Sequence, residues 1–197
     1  MDFACVIPAA GQGKRAGAYK PLLDLGGQLV IDRVISSARS VCRSIVVVGG
    51  FDFIRLREHV AKRHPDVKIV HNAEWRKGMF ASIRSGIDEL DGPLFIHPAD
   101  IPGPSAAVYR KLAEAFVPCD QGVFRPVFNE KPGHPVLVAA SAVEAVRSAG
   151  MDSTLRDVLR PLEKMSVPVD EEMILMDFDT MEEFEDLKML IGQGDES

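Results

Sequence analysis

The stretch Ala4-Cys5-Val6-Ile7-Pro8-Ala9-Ala10-Gly11-Gln12-Gly13-Lys14-Arg15 decides how the chain is read. Four apolar residues run without a polar interruption and stop at a proline, the signature of a short strand buried on both faces. A glycine loop follows at once. Outward from this point, residues 44–48 and 67–70 are similar β-branched runs closed by turn residues. Between the runs, Leu29, Val30, Val34, Ile35, Ala38 and Val41 recur at helical spacing, as do Ile54, Leu56 and Val60. The first seventy residues therefore read as βαβαβ, which predicts an α/β domain with a mostly parallel sheet between helical layers.

The alternation continues downstream. Met79, Phe80, Ile83 and Ile87 stripe a helix whose Met79 and Phe80 belong to the core, Leu94-Phe95-Ile96 is a strand, and Pro104 opens a helix carrying Val108, Leu112 and Phe116. Past Phe116 the rhythm changes. Residues 122–128 and 134–139 are apolar segments joined by a polar turn at 129–133, which predicts a hairpin and a small β extension. Helical patterns follow at 143–148 and 155–162. Ile174-Leu175-Met176 then reads as a strand running into Asp177-Phe178-Asp179-Thr180, where Thr180 and Glu183 have the spacing of a capping box that opens the last helix.

Composition bounds the function. With 197 residues, 46% hydrophobic and 26% charged, the chain fits one domain, expected over 1–191 with a polar tail at 192–197. Lys and Arg number 23 against 29 Asp and Glu, a net charge of -6, so no global basic field exists to hold nucleic acid. Cys5, Cys42 and Cys119 have no CxxC spacing, which argues against a disulfide framework or a zinc site and for a reducing cytoplasm. Residues 4–10 are too short an apolar run for a signal peptide, and no stretch approaches the ~20 apolar residues of a membrane helix.

Any anion must therefore be held locally, and the loop after the first strand is built for one. Gly11, Gly13 and Gly17 let backbone N–H groups approach a ligand, while Lys14, Arg15 and Lys20 add charge, so a phosphate chain is the expected guest. Two familiar phosphate loops are excluded. The third glycine falls one residue late for the dinucleotide fingerprint, and Arg15 stands where a Walker loop needs Ser or Thr. Asp100 follows an apolar strand, so its carboxylate should sit at the strand's carboxyl end, where open α/β sheets bind ligands and where magnesium finds oxygen donors. Asn72, Gly78 and Ser82 offer an amide, a close backbone and a hydroxyl that can read a base edge. Trp75 is equally suited to stack on a ring or to pack under the loop. His59, His64, His71 and His97 show no metal spacing.

The segment Ala9-Ala10-Gly11-x-Gly13-x-Arg15-x-Gly17-x-x-Lys20-Pro-Leu-Leu resembles the signature loop of the nucleotidyltransferases, which join an NTP to an acceptor phosphate with loss of pyrophosphate. Asn72-Ala-Glu-Trp-Arg-Lys-Gly78-Met79-Phe-Ala-Ser82, Pro98-Ala-Asp100-Ile-Pro102, Gly133-His134-Pro135-Val136 and Asp177-Phe-Asp179-Thr180 occur in the order expected of the molybdenum cofactor cytidylyltransferase family. Pro8, Ala16 and Met181 depart from that pattern, and Gly150-Met-Asp152-Ser-Thr-Leu-Arg156 only loosely echoes the family's acceptor-side segment. The resemblance implies a three-layer, Rossmann-like nucleotidyltransferase fold. It also implies Mg2+ as cofactor and catalytic roles for Arg15, Lys20 and Asp100. Nucleotide contacts would come from Ala9, Ala10, Gly11, Gly13, Lys14, Arg15, Lys20, Asn72, Gly78 and Ser82. Asp100 and Asp179 would hold the metal, with Asp177 as the alternative to Asp179. His134 would orient the acceptor or serve a structural turn. The expected partners are an NTP, with CTP favoured by the second Ala of the loop, a phosphate-bearing acceptor such as molybdopterin, and a molybdoenzyme or its chaperone. The rivals are a cytidylyl- or uridylyltransferase acting on a sugar or polyol phosphate, and a nucleotide-binding regulatory module that does not turn over.

Overall fold

The computed structural model describes residues 2–116, 122–150 and 152–194; Cys119 lies outside them. Four parallel strands form its first half: β1 (Phe3–Ala9), β2 (Cys42–Gly49), β3 (Lys68–His71) and β4 (Leu94–Ile96). They lie in the order β3-β2-β1-β4, and the sheet continues through β7 (Val136–Val138) to β5 (Val123–Phe128). β7 runs antiparallel to both neighbours, so β5 regains the direction of β4. β5 also pairs with the two-residue β6 (Lys131–Pro132) and, in parallel, with β8 (Lys164–Pro168). The two expected arms, 122–128 and 134–139, do pair antiparallel as β5 and β7, but the segment expected as a simple turn folds into a tighter hairpin in which β5 turns at Asn129 and Glu130, both at positive φ, into β6.

Every residue of β1 is buried, and its side chains alternate between two cores. Cys5 and Ile7 face a cluster with Ile31, Val34 and Ile35 of α1 (Val30–Ala38), Leu56 and Val60 of α2 (Phe53–Arg63), and Val108 and Leu112 of α4 (Ala106–Ala115). Ala4 and Val6 face the other cluster, with Phe80, Ile83 and Ile87 of α3 (Met79–Ile87), Val143 and Val146 of α5 (Ala140–Ser148) and Leu159 of α6 (Leu155–Leu159). This is the expected three-layer α/β/α arrangement. Each fully buried aliphatic side chain contributes about 1.5–3 kcal/mol, so the double-faced central strands hold most of the stability. A third cluster docks α7 (Met181–Gly194) through Phe184, Leu187 and Ile191 onto Leu25 and Val30.

Several expectations are corrected. Ile174-Leu175-Met176 is no strand: Glu172–Leu175 is a 3-10 turn in which Ile174 alone is fully buried. The strand of this region is β8, whose Met165 and Val167 pack inward while Lys164, Ser166 and Pro168 are exposed. An edge strand of five residues with two half-buried apolar side chains carries too little hydrophobic signal to stand out. α6 ends at Leu159, short of 162, because Pro161 cannot continue it. Pro104 precedes the next helix without opening it; Ser105 is the cap, its Oγ accepting from the Ala107 N–H at 3.1 Å. Phe80 is core, but Met79 and Ile54 are exposed. The tail expected at 192–197 is helical as far as Gly194, and 195–197 lie outside the described residues. Among the described residues no helix is long and apolar enough to cross a membrane.

Candidate active site

The carboxyl ends of the parallel strands meet in one open cavity of about 630 Å³. Strand pairing continues past the regular ladder and carries the functional residues there. Ala99 donates its N–H to the Pro8 carbonyl at 3.1 Å, which brings Asp100 beside the end of β1, and Phe51 donates to the Ala10 carbonyl at 3.0 Å. The glycine loop closes the near wall. Gly13 sits at φ +65°, and a Cβ there would lie 2.1 Å from the Ala18 carbonyl oxygen, so the turn admits only glycine. Tyr19, buried, donates its hydroxyl to the Ala9 carbonyl at 2.7 Å and pins the far end of the loop to β1.

The charged centre lies where the loop, β4 and the entry of α7 converge. The Lys20 side chain is only 12% exposed; its ammonium lies 2.9 Å from Asp179 Oδ1 and 3.6 Å from Asp100 Oδ2, donates to the Phe178 carbonyl, and stands 5.0 Å from the centre of the Phe178 ring. Arg15 takes the other oxygen of Asp179 at 2.7 Å. The two carboxylates have different environments. Burial pushes the Asp100 carboxyl up from its ordinary range, against the pull of Lys20, and the charges of Asp177 and Asp179 add to the rise. The hydrogen bond from Lys20, with the charges of Lys20 and Arg15, holds Asp179 below that range.

The last helix positions Asp179 through the expected capping box. Thr180 Oγ1 accepts from the Glu183 N–H at 3.2 Å, and Glu183 Oε2 accepts from the N–H groups of Asp179 and Thr180 at 2.7 and 2.8 Å. Those bonds hold the Glu183 carboxyl low. Capping thus falls to Thr180 and Glu183, and the Asp179 carboxylate is left to face the cavity. Asp177 is exposed and is not part of the cavity wall.

Ala9, Ala10, Gly11, Gly13, Lys14, Arg15, Lys20, Gly78, Ser82, Asp100 and Asp179 line this one cavity. Asn72 and His134 do not. Asn72 is buried: its amide donates to Ser82 Oγ at 3.0 Å and its oxygen accepts from the Glu74 N–H at 2.9 Å. It therefore orients Ser82, whose own O–H remains to donate into the cavity. His134 precedes Pro135 in a cis peptide and donates its N–H to the Ile174 carbonyl at 3.0 Å. Burial pushes its imidazole down, against a hydrogen bond to the Ile96 carbonyl, and Nδ1 is buried without a partner. This is the environment of a turn histidine packed against the end of β4.

Sequence reasoning missed two features. Gly50 lets Trp75 lie against the loop: a Cβ at Gly50 would stand 2.6 Å from the Trp75 Cβ and 2.8 Å from that of Ala10, so Trp75 and Ala10 form one wall over it. The signal was the Gly49-Gly50 pair ending β2. Trp75 both packs and lines the cavity, with the Arg76 guanidinium 4.4 Å over its ring and Phe51 edge-on at 5.8 Å. The second feature is an adjoining cavity of about 570 Å³ that shares Gly78 and Met79 with the first and is lined further by Lys77, Ser153, Thr154 and Arg156.

Residues 5–167 match the family described as MobA-like NTP transferase domain. The chain belongs to this family. It is 26% identical over 181 residues to the molybdenum cofactor cytidylyltransferase of Escherichia coli, covering 91% of this chain and 92% of that protein. It is also 33% identical over 142 residues to the bifunctional protein GlmU of Burkholderia thailandensis, covering 70% of this chain but 31% of that longer protein. In three dimensions the MobA-like chain superposes on a nucleotidyl transferase from Methanothermobacter thermautotroptrophicus with a TM-score of 0.83, covering 98% and 99% of the two chains at 19% identity. The fold is thus that of the nucleotidyltransferases.

Proposed function

We propose that this nucleotidyltransferase uses Mg2+ to transfer CMP from CTP to a phosphate of molybdopterin. The observation that carries the reading is the convergence of Asp100, Asp179, Lys20 and Arg15 with the glycine loop on one cavity. The donor set suits a magnesium ion: two carboxylates whose oxygens already grip one cation between them offer the hard oxygen ligands that Mg2+ takes alongside substrate phosphates. When bound there, the ion would neutralise phosphate charge and align the reacting oxygens. The loop N–H groups and Lys14 would hold the outer phosphates, with Arg15. Lys20 would meet the charge that develops around the α-phosphorus. An acceptor phosphate oxygen attacks that phosphorus, a new P–O bond forms, the α–β bond breaks, and pyrophosphate leaves with the electron pair.

Two features support CTP and the acceptor. Ser82, fixed by Asn72, presents an O–H that suits the O2 or N3 acceptors of cytosine, while the Ala10 methyl and Trp75 narrow the pocket toward a single ring. The adjoining cavity, mainly apolar with Lys77, Arg156 and Asp152 at its walls, has room for the acceptor's ring system and two cations that could meet its phosphate. The full-length similarity to a molybdenum cofactor cytidylyltransferase favours molybdopterin, the cytoplasm as the compartment, and a molybdoenzyme or its chaperone as recipient. The partial identity to GlmU keeps a sugar or polyol phosphate as the second reading. Pyrophosphate release from each of the four NTPs, with and without molybdopterin, separates them. The proposal expects release with CTP only when molybdopterin is present; release driven by a sugar or polyol phosphate instead would replace the acceptor, and no release under any condition would leave a binding module.

A further inference from the structure

Resting on the reading of Asp100 and Asp179 as the metal's carboxylates, one feature of the site goes further. In the free protein both carboxylates are engaged by cations of the chain itself. The Lys20 ammonium stands between them, at 2.9 Å from Asp179 and 3.6 Å from Asp100, with the Phe178 carbonyl as a third oxygen and the Phe178 ring beneath it. Arg15 occupies the second oxygen of Asp179 at 2.7 Å. An ammonium held by two carboxylates and a carbonyl fills the place that an oxygen-liganded divalent ion would take. It is also tethered, at high local concentration, and well shielded from water. A divalent ion arriving alone would have to displace this ammonium or lie within a few ångströms of it, against the repulsion of a fixed positive charge.

A triphosphate changes that balance. It brings several negative charges and new acceptor oxygens within reach of the same lysine and arginine, so the two cations can exchange carboxylate for phosphate partners while the carboxylates are released together. We propose that Lys20 is the resident cation of the carboxylate pair and that it makes divalent metal binding conditional on the nucleotide. Metal and triphosphate then enter as one, and the empty enzyme holds no idle ion. Lys20 serves two places in turn: the carboxylates in the free protein and the phosphates in the complex. By linkage, whatever the triphosphate adds to metal affinity, the metal adds equally to triphosphate affinity.

The test is metal binding without turnover. Manganese(II), followed by its electron paramagnetic resonance signal, is titrated into the nucleotide-free protein, into Lys20→Met, which keeps the length and packing over Phe178 without the charge, and into both with CTP. Lys20→Met should bind manganese about tenfold or more tightly without nucleotide, and CTP should tighten binding less in the variant than in the unmodified protein. Lys20→Gln must move in the same direction, which guards against a folding defect in one variant. Unchanged or weaker manganese binding by both variants overturns the inference. Asp100→Asn separates the two levels. If it abolishes manganese binding in the presence of CTP while Lys20→Met gains nothing without it, the carboxylates are ligands but Lys20 does not guard them. If Asp100→Asn leaves binding unchanged in every background, the reading of the metal site has failed.

Discussion

The two halves of the sheet solve different problems. From β1 to β4 the strands are parallel, the central ones buried on both faces, and their carboxyl ends carry residues that line or support the cavity: Ala9 closing β1 with Ala10 after it, Gly50 after β2, Asn72 after β3 and Asp100 beyond β4. From β5 to β8 the elements are short, the direction reverses at β7, and the edge strand is half exposed. This half contributes Asp179, held by a helix cap, and borders the adjoining cavity through the segment leading into α6. The first half is thus a rigid, doubly packed platform, and the second is built on edges and turns that can vary at small cost to stability.

The largest effect should come from the carboxylates, which straddle both halves. Asp100→Asn removes charge while keeping shape, so turnover should fall by at least about 10³-fold with the fold retained, as circular dichroism and steady-state kinetics would show. Asp179→Asn should follow closely, and Asp177→Asn should change little. A reversal, with Asp177 the damaging site, would mean that the α7 entry adopts another register when substrate binds. Next in size, Lys20→Ala should lower kcat by roughly 10²-fold with a smaller change in the KM for nucleotide, because its charge meets the transition state more than the ground state. Arg15→Ala should show mainly a KM effect.

A pair of glycines probes the contrast directly. A methyl at Gly50 would collide with Trp75 and Ala10, so Gly50→Ala should raise the KM for nucleotide while the melting temperature changes modestly. At Gly133 the added carbon would lie 2.3 Å from the Ile174 carbonyl, and Gly133→Ala should cost about 1–3 kcal/mol of stability before it affects nucleotide affinity. If both act alike, the two halves do not divide the labour. On specificity, Ala10→Gly should relax the preference for CTP over GTP without abolishing CTP use, since one methyl is worth about 10 to 200-fold. A preference for GTP in the unmodified protein would refute the cytidylyl reading.

The smallest effect per unit of condition concerns the core. His97, fully buried, donates Nε2–H to the Ile101 carbonyl at 2.7 Å and accepts at Nδ1 from the Tyr109 hydroxyl at 2.5 Å. Burial pushes its pKa down to about 3. Below the ordinary histidine value the unfolded chain takes up a proton that the folded one refuses, so stability should fall with acidity. The loss should be about 1.4 kcal/mol per pH unit from near 6.5 down to near 3. Urea melts of the wild type and His97→Gln across that range measure it: the variant should lose one proton's worth of slope.

These contrasts also explain what the sequence made legible. Residues 4–10, 44–48 and 94–96 announce themselves because strands buried on two faces need unbroken apolar runs, and the glycine loop stands out because its tight turn leaves no room for a side chain at Gly13. The edge strand β8 was hidden, since Met165 and Val167 alternate with exposed residues, and Ile174 misled because one buried residue in a tight turn resembles a strand over three positions. Which of Asp177 and Asp179 faces the cavity depends on the direction of the carboxylate, set for Asp179 by the Glu183 cap and Lys20. The pairing of Asn72 with Ser82, and the wall that Gly50 permits, depend on contacts between strands far apart in the chain, which spacing alone does not encode.

In the proposed reaction this cavity splits CTP between its α and β phosphorus and hands the CMP portion to molybdopterin. Following CTP labelled separately at the α and γ phosphorus tests it most directly. The α label should move to the molybdopterin product, the γ label should leave in pyrophosphate, and both transfers should vanish in Asp100→Asn. An α label recovered only as free CMP or CDP, or a γ label released as inorganic phosphate, would contradict it.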